Sequence, residues 1–227
     1  MKSKLWLLLF VADAIFFFCS DYFKCNAIRI ATKPLLTIIL ILYSFGEADK
    51  KNAILFLLLS ALFFSCSGDV FLLFENKNSN WFIFGLSSFL IAHIFYISLF
   101  IQIKKINQPY KKLNLPVSVV VSAYTIGLFL LLKPSLGDLK IPVLLYATAL
   151  SAMLITSLHA FDLSKQTAGR LCVAGALLFL TSDSLLAINK FYVPIAKADF
   201  LIMSTYASAQ LLVVLGITRF SKYANNN

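Results

Sequence analysis

Two aspartates stand inside runs of otherwise apolar residues. Asp69 ends Ala61-Leu62-Phe63-Phe64-Ser65-Cys66-Ser67-Gly68-Asp69, and Asp183 ends Ala176-Leu177-Leu178-Phe179-Leu180-Thr181-Ser182-Asp183. An ionisable side chain in such a setting is costly, which makes each a candidate for function. If the two carboxyl groups meet in a low-dielectric site they cannot both ionise easily, so one serves as an acid while the other stays charged. The alternative is that each aspartate only snorkels or pairs with a lysine.

Other polar residues fall at depths from which they could join this pair. Lys33, beside Pro34, opens the second apolar run; it could neutralise an aspartate or hold a phosphate, or be a surface lysine at a helix start. His93 and Tyr96 lie near the middle of the fourth run, at the same depth as Tyr206 and Gln210 in the eighth. Tyr206 and Gln210 are four apart and share a helix face, so a polar pocket lined by both halves of the chain is expected. Ser65 and Ser182 could donate hydrogen bonds to the acids beside them. His159 lies far in depth from His93, and with two histidines apart a three-histidine zinc site is excluded. A metal on Asp69, Asp183 and His93 is not demanded by the spacing. Asp13 is expected to pair with a neighbouring lysine, and Asn189 to cap a helix. No P-loop, GxGxxG, GxSxG or HExxH motif occurs, and the phenylalanine-rich aromatic content needs no cofactor.

These residues must be positioned by membrane-spanning helices. The 227 residues are 60% hydrophobic and 13% charged, against roughly 45–50% and about 25% in an ordinary soluble domain. A soluble single domain, a disordered chain and a disulfide-rich secreted scaffold are thereby excluded. A helical crossing takes about 20 residues, and apolar runs fall at 4–20, 31–45, 53–74, 81–102, 115–132, 141–160, 168–189 and 199–219. The expectation is an all-α polytopic membrane domain of about eight helices spanning 1–227, the first uncleaved. Thr32 should cap the second helix, with Pro34 in its first turn. Asp69 and Asp183 then share a depth, roughly 7–9 Å from one membrane face at 1.5 Å per residue.

The net charge of +10 does not point to nucleic acid, because the basic residues sit between the apolar runs. Placing both termini in the cytoplasm puts Lys2, Lys4, Lys50, Lys51, Lys104, Lys105, Lys111, Lys112, Lys165, Arg170, Arg219 and Lys222 inside, the majority of the basic residues. Compactness suits a bacterial inner membrane. Cys19, Cys25, Cys66 and Cys172 form no CxxC pair. The two aspartate segments also suggest an internal repeat, with halves 1–113 and 114–227 related by an axis along the membrane normal.

In their order along the chain, several segments resemble the YhhN family of multi-pass membrane proteins, which includes lysoplasmalogenases. They are Lys33-Pro34-Leu35-Leu36, Ala61-Leu62-Phe63-Phe64-Ser65 leading to Gly68-Asp69, Ala92-His93-Ile94-Phe95-Tyr96, Gly175-Ala176-Leu177-Leu178-Phe179 leading to Ser182-Asp183, and Tyr206 with Ala209-Gln210. The resemblance implies eight helices and hydrolysis of the vinyl-ether bond of a lysophospholipid drawn from the bilayer, giving a fatty aldehyde and glycerophospho-ethanolamine or -choline. Asp69 and Asp183 would share the acid chemistry, Lys33 would hold the phosphate, and His93, Tyr96, Tyr206 and Gln210 would line the pocket. A lipid or small-molecule transporter, a hydrolase of another lysolipid, and a structural protein with buried ion pairs are the alternatives.

Overall fold

The computed structural model describes residues 2–23, 25–47, 53–75, 77–107 and 115–225. Among them are eight helices: α1 (Lys2–Tyr22), α2 (Asn26–Glu47), α3 (Ala53–Leu73), α4 (Ser79–Asn107), α5 (Leu115–Leu132), α6 (Lys140–Ala160), α7 (Thr167–Phe191) and α8 (Ala198–Asn225). Two 3-10 turns, Lys133–Ser135 and Gly137–Leu139, join α5 to α6, and Gly137 takes the positive φ (51°) that this tight connection needs. All helices but α1 are long and apolar enough, over the described residues, to cross a membrane. The expected loop lysines Lys50, Lys51, Lys111 and Lys112 and the side chain of Lys2 lie outside the described residues.

Six helices close a ring in the order α2, α3, α4, α6, α7, α8 and back to α2. The remaining two are peripheral: α1 leans on α2 and touches α8, while α5 leans on α6 and touches α7. The ring core is a continuous cluster of large apolar side chains, including Leu40, Leu58, Tyr96, Phe100, Met153 and Phe179. Many equally apolar residues point outward, among them Phe56, Phe63, Val119, Val120 and Leu130. Lipid is as apolar as these side chains, so association between the helices rests on close packing and hydrogen bonds rather than on escape from water.

Small residues set that packing unequally. On α7 and α8, a Cβ added at Gly175 would lie 2.8 Å from the Ala209 carbonyl oxygen, and one at Gly216 would lie 2.7 Å from that of Ala168. Here backbone meets backbone. On α3 and α4 the filler is a side chain: the Phe89 ring over Gly68, and Leu72 over Gly85.

Helix α2 departs from the sequence reading. It starts at Asn26 rather than near Ala31, so Thr32 is no cap. Its hydroxyl instead donates to the Ile28 carbonyl at 2.9 Å, and Pro34 stands in the helix interior. A proline there removes one backbone hydrogen bond, a loss that neighbouring helices compensate in membrane proteins. The Cys66 thiol on α3 donates to the Pro34 carbonyl at 3.7 Å. All four cysteines are free. No lysine among the described residues pairs with Asp13, which is buried in α1. Asn189 serves as a tie rather than a ligand: its side-chain oxygen accepts from the Ile195 backbone N–H at 2.8 Å.

Candidate active site

The ring encloses a cavity of about 350 Å³ near the end of the bundle where α3 and α7 finish and α2 and α8 begin. Asp69 from α3 and Asp183 from α7 both line it, as do Lys33, Tyr146, Ser182 and Tyr206. The helices carrying the two aspartates stand opposite one another in the ring, so the carboxylates approach from facing walls.

Asp69 is almost fully enclosed, its side chain 2% exposed. Its Oδ2 accepts from the Tyr206 hydroxyl at 2.7 Å and from the Thr37 hydroxyl at 3.3 Å. The Lys33 ammonium stands 4.0 Å from Oδ1. Behind Tyr206 the hydrogen bonds continue inward. The Tyr96 hydroxyl donates to Gln210 Oε1 at 2.8 Å, which turns the Gln210 amide nitrogen toward Tyr206. Gln210 Nε2 then donates to the Tyr206 oxygen at 3.1 Å. Each proton in this chain is therefore directed toward Asp69.

Asp183 is more open, at 14%. Its Oδ2 accepts from the Tyr146 hydroxyl at 2.5 Å, and His93 Nε2 lies 3.6 Å from the same oxygen. With its one hydroxyl hydrogen committed to Asp183, Tyr146 can only accept from His93 Nε2, 3.1 Å away, which assigns the imidazole proton to Nε2. The ring is held edge-on by Tyr146 and Phe179.

Of the residues expected at the site, Lys33, Asp69, Ser182, Asp183 and Tyr206 line the cavity, whereas His93, Tyr96 and Gln210 do not: they stand behind its wall, His93 against Tyr146 and the other two behind Tyr206. The two serines also differ from expectation. Ser182 lines the cavity, yet its hydroxyl donates to the Ile202 backbone carbonyl at 3.0 Å and not to Asp183. Consecutive helical residues point about 100° apart, so the neighbour in sequence is not the neighbour in space. Ser65 is fully buried and makes no hydrogen bond to Asp69 or to the cavity. Two functional candidates were missed, Tyr146 and Thr37, along with the charged rim of Arg29, Glu75 and Asp199. No group of three His, Cys, Asp or Glu side chains among the described residues is gathered to hold a metal, so Asp69, Asp183 and His93 do not form a ligand set.

Comparison with known proteins adds three relatives. A lysoplasmalogenase of Mycobacterium bovis is 33% identical over 70% of this chain and 59% of its own length. Human lysoplasmalogenase TMEM86A is 34% identical over 68% and 62%, and mouse lysoplasmalogenase TMEM86B is 30% identical over 84% and 74%. The chain thus spans about three-fifths of the length of the first two. No solved structure matches it. The match to the YhhN family runs over residues 28–217 and contains every residue of the site described above; this integral, multi-pass membrane protein belongs to the YhhN family.

Proposed function

We propose that the chain is a lysoplasmalogenase-like hydrolase that cleaves the vinyl ether of a lysophospholipid taken from the bilayer. The observation that carries this reading is that two carboxylates from opposite helices and a lysine line the same cavity. The relatives named lysoplasmalogenases support it.

A vinyl ether is hydrolysed by protonating its alkene carbon, the one not bonded to oxygen. The C=C electron pair takes the proton and leaves an oxocarbenium cation on the adjoining carbon. Water adds there and gives up a proton, and the hemiacetal collapses to aldehyde and alcohol. In this reading Asp183, the more open of the pair, gives the proton. Asp69 acts as the carboxylate that faces the cation and then takes the proton of the attacking water. Glycosidases divide two carboxyl groups in the same way around a similar cation. Tyr146 and His93 fix the Asp183 carboxyl group, Tyr206 and Gln210 fix Asp69, and Lys33 meets the phosphate. With both termini cytoplasmic, the cavity opens at the outer headgroup layer.

The test is aldehyde release from purified protein given a lysoplasmalogen in heavy water. One deuterium at the aldehyde carbon next to the carbonyl is expected, and an aldehyde without it, or no aldehyde from any alkenyl lysolipid, sinks the mechanism. Transport of the intact lipid in vesicles, without product, is the outcome that a carrier would give.

A further inference from the structure

Above the carboxylates, the cavity ends in a rim of opposite charges. Arg29 near the start of α2 and Asp199 near the start of α8 both line it, 3.2 Å apart. Their side chains are 34% and 54% exposed, so both are reachable from outside, unlike the deeper Lys33–Asp69 pair at 13% and 2%. An ion pair this open adds little to holding helices together, and its groups can part around a ligand. Lys33 follows Arg29 by four positions on α2, on the same helix face, and brings a second cation to the same wall. From Asp199 to Tyr206, whose hydroxyl touches Asp69, α8 rises about 10 Å, a gap that a glycerol and a phosphate can bridge.

The remaining rim carboxylate is engaged elsewhere. Glu75 is held by Lys190 at 2.9 Å, and the same ammonium lies 4.2 Å over the Phe82 ring. The aromatic seat in that corner is therefore filled by the protein's own cation. Quaternary ammonium groups are recognised by aromatic faces. A primary ammonium, by contrast, gives charge-assisted N–H bonds to a carboxylate.

We propose that Arg29 and Asp199 form the recognition site for a zwitterionic phosphate–primary ammonium headgroup, the guanidinium joining Lys33 on the phosphate and Asp199 taking the ammonium. This rests on the lysolipid reading of the cavity, and it selects an ethanolamine over a choline headgroup. The charge pattern of the pair is the complement of such a headgroup laid across it.

The experiment measures binding of 1-acyl lysophosphatidylethanolamine, lysophosphatidylcholine and lysophosphatidic acid to the detergent-purified chain. None of these carries a vinyl ether, so binding is read apart from turnover. The wild type is expected to bind the ethanolamine form about tenfold more tightly than the choline form. Asp199→Asn should abolish the tenfold preference for ethanolamine over choline and bind lysophosphatidic acid more tightly; Asp199→Glu should keep the preference. Equal wild-type binding of ethanolamine and choline forms, an equal loss of all three ligands in Asp199→Asn, or no saturable binding of any would overturn the proposal. Aldehyde release from alkenyl substrates by the same preparations separates the two readings. Release without headgroup discrimination removes the rim proposal alone, and discrimination without release supports it while removing the hydrolase.

Discussion

The two carboxylates have matched positions and unlike company. Each aspartate sits on the third helix of its half of the chain. Each is contacted by a residue from the second helix of the same half, Thr37 for Asp69 and Tyr146 for Asp183. Each is also met by a residue from the fourth helix of the other half, Tyr206 for Asp69 and His93 for Asp183. The spacings between equivalent residues, 109 for Thr37 and Tyr146, 113 for His93 and Tyr206 and 114 for the aspartates, are nearly constant. The peripheral helices match as well, α1 on α2 and α5 on α6. We propose that the halves 1–113 and 114–227 arose by duplication. The difference lies in charge: Asp69 has Lys33 beside it, and the equivalent place on α6 is filled by Pro142. Like scaffolds thus hold two like acids, and among the described residues one adjacent lysine divides them.

Replacing the acids tests that division most severely. Asp183→Asn and Asp69→Asn should each lower aldehyde release by about 10²–10⁴-fold, the range of a lost general acid or base, with melting temperature retained. Full activity in either would break the pairing. The helix pairs should differ next. Gly216→Ala forces the α7 and α8 backbones apart and should cost about 1–3 kcal/mol or more in unfolding measurements. Gly85→Ala crowds the Leu72 side chain, at 2.7 and 2.9 Å, but meets backbone only at an ordinary 3.5 Å from the Gly68 oxygen, and should cost less.

Removing the phenol hydroxyls gives a smaller effect. Tyr206→Phe and Tyr146→Phe should each reduce kcat about tenfold by removing a hydrogen bond to a carboxylate. Tyr146→Phe should be the worse of the two, because His93 loses its acceptor and, among the described residues, no lysine pairs with Asp183. Lys33→Met, which makes the Asp69 side resemble its counterpart, should raise KM about tenfold while changing kcat less. Ser182→Ala should leave activity unaltered and cost only about 0.5–1.5 kcal/mol of stability, since its hydroxyl serves the Ile202 carbonyl.

Much of this was legible in the residues. Apolar run lengths fixed the number of helices, and the expected residues fall into two polar clusters on one cavity, Lys33, Tyr96, Tyr206 and Gln210 with Asp69 and His93 with Asp183. The four-residue spacing of Tyr206 and Gln210 was enough to put them on one face. Tyr146 was not legible, because one tyrosine in Val143-Leu144-Leu145-Tyr146 resembles any other in a chain that is 15% aromatic. Its importance comes from the packing of α6 on α7, which periodicity does not record. Only the near-constant half-chain spacing from Thr37 could have pointed to it. The start of α2 was misplaced because Pro34 is a strong signal for a first turn, whereas within a bundle it is tolerated well inside a helix.

In the proposed reaction, a planar alkene held between acids on opposite walls of the cavity would present one face to each. The proton can then arrive from one side only. In heavy water the aldehyde's neighbouring carbon would become a stereocentre of a single handedness, where free acid in solution would give both hands equally. The chirality of that labelled product would thus record which face of the alkene the wall of α7 had covered.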